Sequence, residues 1–161
     1  MRKVIGIVGW KDVGKTFVVT EIIKLLVQKG YKVGSIKHAH HNFDIDQPGT
    51  DSFKHRKSGS SEVIISSSKR WVKIIENNNK KEKKLNELLK EFNDIDVAIV
   101  EGFKKENHPK IEIISQNSKI QNNEINNVVA IVADNIIDSN IPVFKKNDVE
   151  SLTKFIIDKF L

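Results

Sequence analysis

The chain contains no cysteine in 161 residues. That absence removes disulfides, thiolate metal sites and cysteine nucleophiles together. Long hydrophobic runs are also missing. No stretch approaches the roughly 18 apolar residues of a membrane span, and Val4–Val8 is too short for the apolar segment of a secretory signal. A soluble, cytoplasmic protein without a membrane partner is expected. The net charge of +6 invites a nucleic-acid reading, but the lysines of 80–84 and 104–105 lack interleaved aromatics and a recognisable reading helix. A solvated basic face that steers an anionic ligand or partner fits better, and no nucleic-acid partner is expected. Apolar content of 39% is low for a globular chain and charged content of 30% is high, with much of the charge held in two polar stretches. Residues 1–161 are expected to form a single domain large enough to bury a real core.

What is present is concentrated in Gly9-Trp10-Lys11-Asp12-Val13-Gly14-Lys15-Thr16. This is the G-x-x-x-x-G-K-[ST] pattern of a phosphate-binding loop, the Walker A motif, between the strand-like Val4–Val8 and a helical stretch from Thr16 to Gln28. Gly9 and Gly14 allow backbone geometry that a Cβ would obstruct, so successive N–H groups can curl around phosphate oxygens. The helix behind the loop, with Phe17 in its first turn, aims its positive end at the same anion. Lys15 is placed to reach the β- and γ-phosphates, and the Thr16 hydroxyl can ligate Mg²⁺.

The rest of the chain alternates strands and helices. Phe17, Val18, Ile22, Ile23, Leu25 and Leu26 recur at helical spacing, and Gly30 stands in the position that ends a helix. Residues 32–36 read as a second strand, which makes a right-handed βαβ unit. The stretch 38–59 is long and polar, as segments that carry function or are mobile are; 62–66 and 71–75 read as a hairpin, 77–84 as a solvated loop and 84–92 as a helix. Strands follow at 96–100, 110–114, 128–132 and 142–144, a polar loop at 115–127, and a closing helix at 149–161. The expected fold is α/β: a three-layer P-loop NTPase with a mostly parallel central sheet and helices on both faces.

A phosphate loop needs an acid at the end of a neighbouring strand to hold Mg²⁺. Glu101 ends the apolar run 96–100 and precedes Gly102, at the edge where the nucleotide crevice of such sheets lies. Asp96, at the opposite end, reads as a strand-start residue. His38, His40 and His41, with Asp44 and Asp46, resemble a metal cluster, but their spacing matches known zinc patterns poorly. A phosphate or Mg²⁺-water environment is the better reading. Asp44 is the candidate second acid, for Mg²⁺ or for orienting an attacking water. Arg56 can neutralise phosphate charge or pair with Asp51. The Asn-Lys-x-Asp guanine reader of Ras-type proteins is absent. Asp134 can accept from guanine N1 and N2, or serve as a cap.

Taken together, these residues resemble the MobB family of molybdopterin-guanine dinucleotide biosynthesis adapters. The likeness is carried by Gly9–Thr16, Lys37-His38 with His41, Phe43-Asp44-Ile45-Asp46 and Pro48-Gly49-x-Asp51-Ser52. It continues in His55-Arg56, Gly59, Val100-Glu101-Gly102-Phe103-Lys104 and Pro109-Lys110-Ile111-Glu112. The chain departs from that pattern in its Asn/Lys-rich 77–84 segment and in Ala133, where related sequences commonly carry threonine. The resemblance implies a SIMIBI-type P-loop fold, GTP as ligand with Mg²⁺, weak GTP hydrolysis and a homodimer. It also implies assistance to a MobA-type guanylyltransferase that joins GMP to molybdopterin. By residue, Gly9–Thr16 would bind phosphates and Thr16 with Glu101 would hold Mg²⁺. The 38–46 and 48–56 segments, with His38, His41 and Arg56, would border the nucleotide or a dimer-spanning site. A second reading, an ATP-dependent ligase or small-molecule kinase resembling dethiobiotin synthetase, shares the P-loop and the strand-end Glu-Gly. A third is a nucleotide-switched partner protein.

Overall fold

A computed structural model of the protein describes residues 3–10, 12–39, 42–77, 81–115, 125–135 and 137–161. The elements run β1 (Lys3–Gly9), α1 (Lys15–Gln28), β2 (Val33–Lys37), α2 (Asp51–Lys57), β3 (Glu62–Ser66), β4 (Trp71–Ile75) and α3 (Leu85–Lys90). They continue with β5 (Val97–Glu101), β6 (Lys110–Ile114), β7 (Val128–Ala133), β8 (Val143–Phe144) and α4 (Val149–Phe160). The sequence reading treats 1–161 as one domain; the folded chain groups into two compact units, Met1–His38 with Leu85–Leu161, and Ala39–Lys84.

The first unit is built on a six-stranded sheet in the order β2-β5-β1-β6-β7-β8, parallel at every pairing. Alternate residues of each strand serve opposite faces, as the pleat requires. Ile5, Ile7, Val97, Ile99, Ile111, Ile113 and Val132 pack with Val18, Ile22 and Leu26 of α1 and Leu152 and Ile156 of α4. On the other face Val100 and Phe103 pack with Leu85 of α3, and Ile114, Ile131 and Ala133 form a separate cluster. Helices therefore cover both faces, the expected three-layer α/β arrangement.

Strand boundaries lie within a residue of the sequence reading. The helical stripe on α1 is rotated: Val19 is buried, whereas Phe17 is 52% exposed. Asp96 is a strand-start residue, accepting from the Lys32 amide at 2.7 Å. The reading missed α2, taking 47–52 as turn formers. Thr50 instead caps α2 by accepting from Phe53 N at 3.4 Å, so the capping signal lay among the turn residues. In the second unit α2 accompanies the antiparallel hairpin β3–β4. Residues 116–124, most of the predicted polar loop, lie outside the described residues.

Two polar side chains are buried beneath the sheet edge beside β1. Lys110 is fully buried and its ammonium donates to the carbonyls of Glu106, His108 (3.0 Å) and Asn126 (2.8 Å). His108 lies against Gly6, where a Cβ would meet its Nε2 at 2.5 Å. Neither ring nitrogen has a hydrogen-bond partner. Burial first, and the Lys110 charge second, push the His108 pKa down from 6.5 to about 4. The unfolded chain therefore binds the proton more tightly, so stability is full above pH 6.5 and falls as pH drops toward 4. The whole shift is worth about 3 kcal/mol. Urea unfolding between pH 4 and 7.5 should show this acid loss. His108→Phe, which keeps the ring without the titration, should flatten it.

Candidate functional site

The loop after β1 folds as its glycines require. Gly9 and Gly14 have φ of 154° and 87°, and Asp12 adopts φ of 60°. Gly14 is the N-cap of α1 in the left-handed region, and no side chain caps the helix. The first-turn amides thus face the loop with no side-chain acceptor, which is the arrangement that binds an anion. A Cβ on Gly9 would meet the Ile113 carbonyl at 2.5 Å, so the loop also depends on close packing against β6.

Parallel register brings the other groups to the same edge. Ile7 is level with Glu101 across β1–β5, and Lys37 with Glu101 across β2–β5. The Glu101 carboxylate, 12% exposed, lies 3.7 Å from the Lys37 ammonium. Lys15 donates to the Trp10 carbonyl. Burial lowers the Lys15 pKa; Glu101 opposes that, and Lys104 and Lys37 reinforce it. Lys104 also places its ammonium 5.1 Å from the centre of the Trp10 ring, which is half exposed. Lys146 approaches from the turn before α4: a Cβ on Gly14 would meet its Cε and Nζ at 2.5 Å. Lysines from four separate segments therefore gather around the loop, and a polyphosphate would relieve their mutual repulsion.

The turn after Glu101 is shaped by two left-handed residues, Gly102 (φ 103°) and Phe103 (φ 53°). Gly102 donates to Ile7 O at 3.0 Å, and a Cβ there would meet that of His38 at 2.7 Å. His38 stacks on Phe103 with centroids 4.4 Å apart and 21° between planes. Its ring is thus fixed by an aromatic partner at the end of β2. Lys110 secures the loop that carries Lys104, because its three carbonyl contacts hold 106–108 to Asn126, and Asn126 Nδ2 in turn donates to Lys105 O at 2.8 Å.

In the second unit Arg56 is the centre of an acidic cluster. It donates to Asp46 at 2.6 and 3.2 Å, to Asp44 at 2.7 Å and to Glu76 at 3.1 Å. The Asp46 carboxyl is held below its ordinary range chiefly by this hydrogen bond. Asp51 pairs with Lys54 instead, at 3.3 Å.

The structure thus brings together Gly9, Trp10, Asp12, Val13, Gly14, Lys15, Thr16, Phe17, His38 and Glu101 in the first unit. Asp134 follows the end of β7, at the strand edge from which 145–146 leave β8. Asp44 and Arg56 sit together in the second unit. Lys11, His40 and His41 lie outside the described residues. Among the described residues no group of three or more His, Cys, Asp or Glu side chains is placed to hold a metal ion. The donors beside the loop, a hydroxyl and a carboxylate, suit a hard cation such as Mg²⁺. Sequence reasoning gave Lys37 and Lys146 no role at the loop and read Lys104 only as part of a solvated basic face. Lys37 was legible as a strand end, whereas Lys146 reaches the loop only through the tertiary fold.

Replacing Lys110 with Met should leave three carbonyls without their donor, at about 1–3 kcal/mol each. A loss of at least about 3 kcal/mol in urea unfolding is expected, with weaker Lys104–Trp10 contact seen as changed Trp fluorescence.

Comparison with known proteins bears on the family and the fold. The profile of MobB, Molybdopterin guanine dinucleotide synthesis protein B, matches residues 4–134. The molybdopterin-guanine dinucleotide biosynthesis adapter protein of Escherichia coli K12 is 31% identical, over 98% of this chain and 93% of that protein. Its Haemophilus influenzae counterpart is 36% identical over 81% and 74%. The crystal structure of Bacillus subtilis MobB superposes with a TM-score of 0.81 at 20% identity, over 99% of this chain and 98% of that one, a likeness of fold. The chain belongs to the MobB family.

Proposed function

We propose that this protein binds GTP with Mg²⁺ at the Gly9–Thr16 loop and acts in the cytoplasm as an adapter. Residues 1–161 would serve as one nucleotide-binding domain. Its partner would be a MobA-type guanylyltransferase that attaches GMP to molybdopterin. The observation that carries the nucleotide reading is the uncapped α1 terminus at Gly14, surrounded by Lys15, Lys37, Lys104 and Lys146. The adapter reading rests on family membership and on the names of the E. coli and H. influenzae relatives. No helix among the described residues is long and apolar enough to cross a membrane.

In this reading the loop amides and Lys15 bind the β- and γ-phosphates. The Thr16 hydroxyl and the Glu101 carboxylate would hold Mg²⁺, which supplies charge neutralisation at the phosphates. Asp44 is the candidate for orienting water or completing that set, and does so only by giving up its ion pair with Arg56. Among its described residues the phosphate-loop unit contains no arginine to add to Mg²⁺, the loop amides and the lysines as charge develops, and intrinsic hydrolysis in this reading is weak. Homodimer formation is supported by the second unit. The β3–β4 hairpin, packed against the short α2, exposes Ile64 (64%) and Trp71 (67%) together with Ile65 and Ile75.

With guanylyltransferase and molybdopterin at limiting GTP, wild-type protein should raise the rate of dinucleotide formation and Lys15→Ala should not. Equal stimulation by the variant would remove the nucleotide site from the function. Lys15→Ala should bind GTP at least ~100-fold more weakly, about 2.7 kcal/mol, by calorimetry. Ile64→Glu with Trp71→Glu should sediment as a monomer; an unchanged dimer would place the interface elsewhere.

A further inference from the structure

The phosphate loop accounts for one end of a nucleotide, and the same unit offers a place for the other end. A cavity of about 400 Å³ lies between one face of α1 and the turn that starts α4. That is within the volume range of small-molecule sites. Phe17, Glu21 and Leu25 line one wall at four-residue spacing, and Asn147, Asp148 and Glu150 line the other. Phe17 directly follows Thr16 of the loop, and Asn147 directly follows Lys146, whose ammonium lies over Gly14. The cavity is thus tied to the phosphate loop on both walls.

Two features of this cleft are not explained by folding. Phe17 is an aromatic ring 52% exposed in the first turn of a helix whose neighbours Val18 and Val19 are buried. Lys146 crosses the N-terminus of α1, where a like charge opposes the helix dipole and a bound anion reverses that cost. The rim carries Glu21, Asp148 and Glu150 beside Lys24, and of the three acids Asp148 and Glu150 serve the N-terminus of α4 as its cap and first-turn acid. Asp148 is partly committed, accepting from Ser151 N at 3.2 Å, and Glu21 has Lys24 at 3.6 Å.

Resting on the nucleotide reading above, we propose that this α1–α4 cleft holds the nucleoside half of the bound nucleotide. The base lies against Phe17, Lys146 spans the phosphate end, and Glu21 is the carboxylate that reads the base. Guanine presents two adjacent donors, N1–H and N2–H₂, that one carboxylate accepts together. Adenine presents an N1 lone pair on that edge, which a carboxylate repels. Glu21 therefore selects guanine over adenine. Asp134, the base reader expected from the sequence, does not line this cleft.

Calorimetric titration of the full chain with GTP, ATP and inorganic tripolyphosphate, each with Mg²⁺, separates the parts. Phe17→Ala should weaken GTP about tenfold and leave tripolyphosphate unchanged, which also shows that the variant is folded. Glu21→Gln should narrow the GTP-over-ATP preference without altering tripolyphosphate. Lys146→Ala should weaken both GTP and tripolyphosphate. Wild-type affinity for GTP in Phe17→Ala, or an unchanged base preference in Glu21→Gln, overturns the cleft assignment while the phosphate loop stands. Undiminished tripolyphosphate binding by Lys15→Ala overturns the underlying nucleotide reading instead.

Discussion

β1 is paired on both sides, with β5 along Lys3–Ile7 and with β6 along Gly6–Gly9, in parallel register throughout. A parallel ladder fixes where each strand ends as firmly as which strands are neighbours. With Ile7 level with Glu101, and Glu101 level with Lys37, three chain ends arrive together at one edge. The glycine loop, the candidate metal acid and a lysine are therefore placed by the sheet before any ligand is considered. Long side chains then need only short reaches, which keeps the entropic cost of ordering them small.

That edge carries strain of two kinds, and the electrostatic one favours an anion. Backbone strain sits at two non-glycine residues, Asp12 within the loop (φ 60°) and Phe103 in the turn after Glu101 (φ 53°). Electrostatic strain comes from several lysines around one helix N-terminus, relieved only in part by Glu101. Buried Lys110 and the ring of His108 stabilise the loop that follows Phe103 from below. The missing Cβ of Gly6 is what leaves room for them.

The fold was legible because its strands are short apolar runs separated by polar segments, a pattern that buried parallel strands require. Glu101 could be placed at the strand end from its position after Val97–Val100, and the octapeptide Gly9–Thr16 marked the loop between β1 and α1. Asp46 and Arg56 were not legible as partners, because an ion pair across ten residues depends on how the chain turns at Gly49 and Thr50. Phe17 illustrates the opposite failure. Its spacing matched the buried stripe of α1, and only the sheet's position showed that the ring faces outward. Lys146 carries no local signal at all, since its role depends on α4 packing beside α1.

Trp10 provides the most direct measurement, because it lies in the phosphate loop with Lys104 over its ring. The protein should be titrated separately with GTP and ATP in the presence of Mg²⁺ while tryptophan fluorescence is followed. The account predicts a saturating change with GTP at well below the concentration ATP requires. Equal or tighter binding of ATP would contradict it and return the chain to an ATP-dependent chemistry.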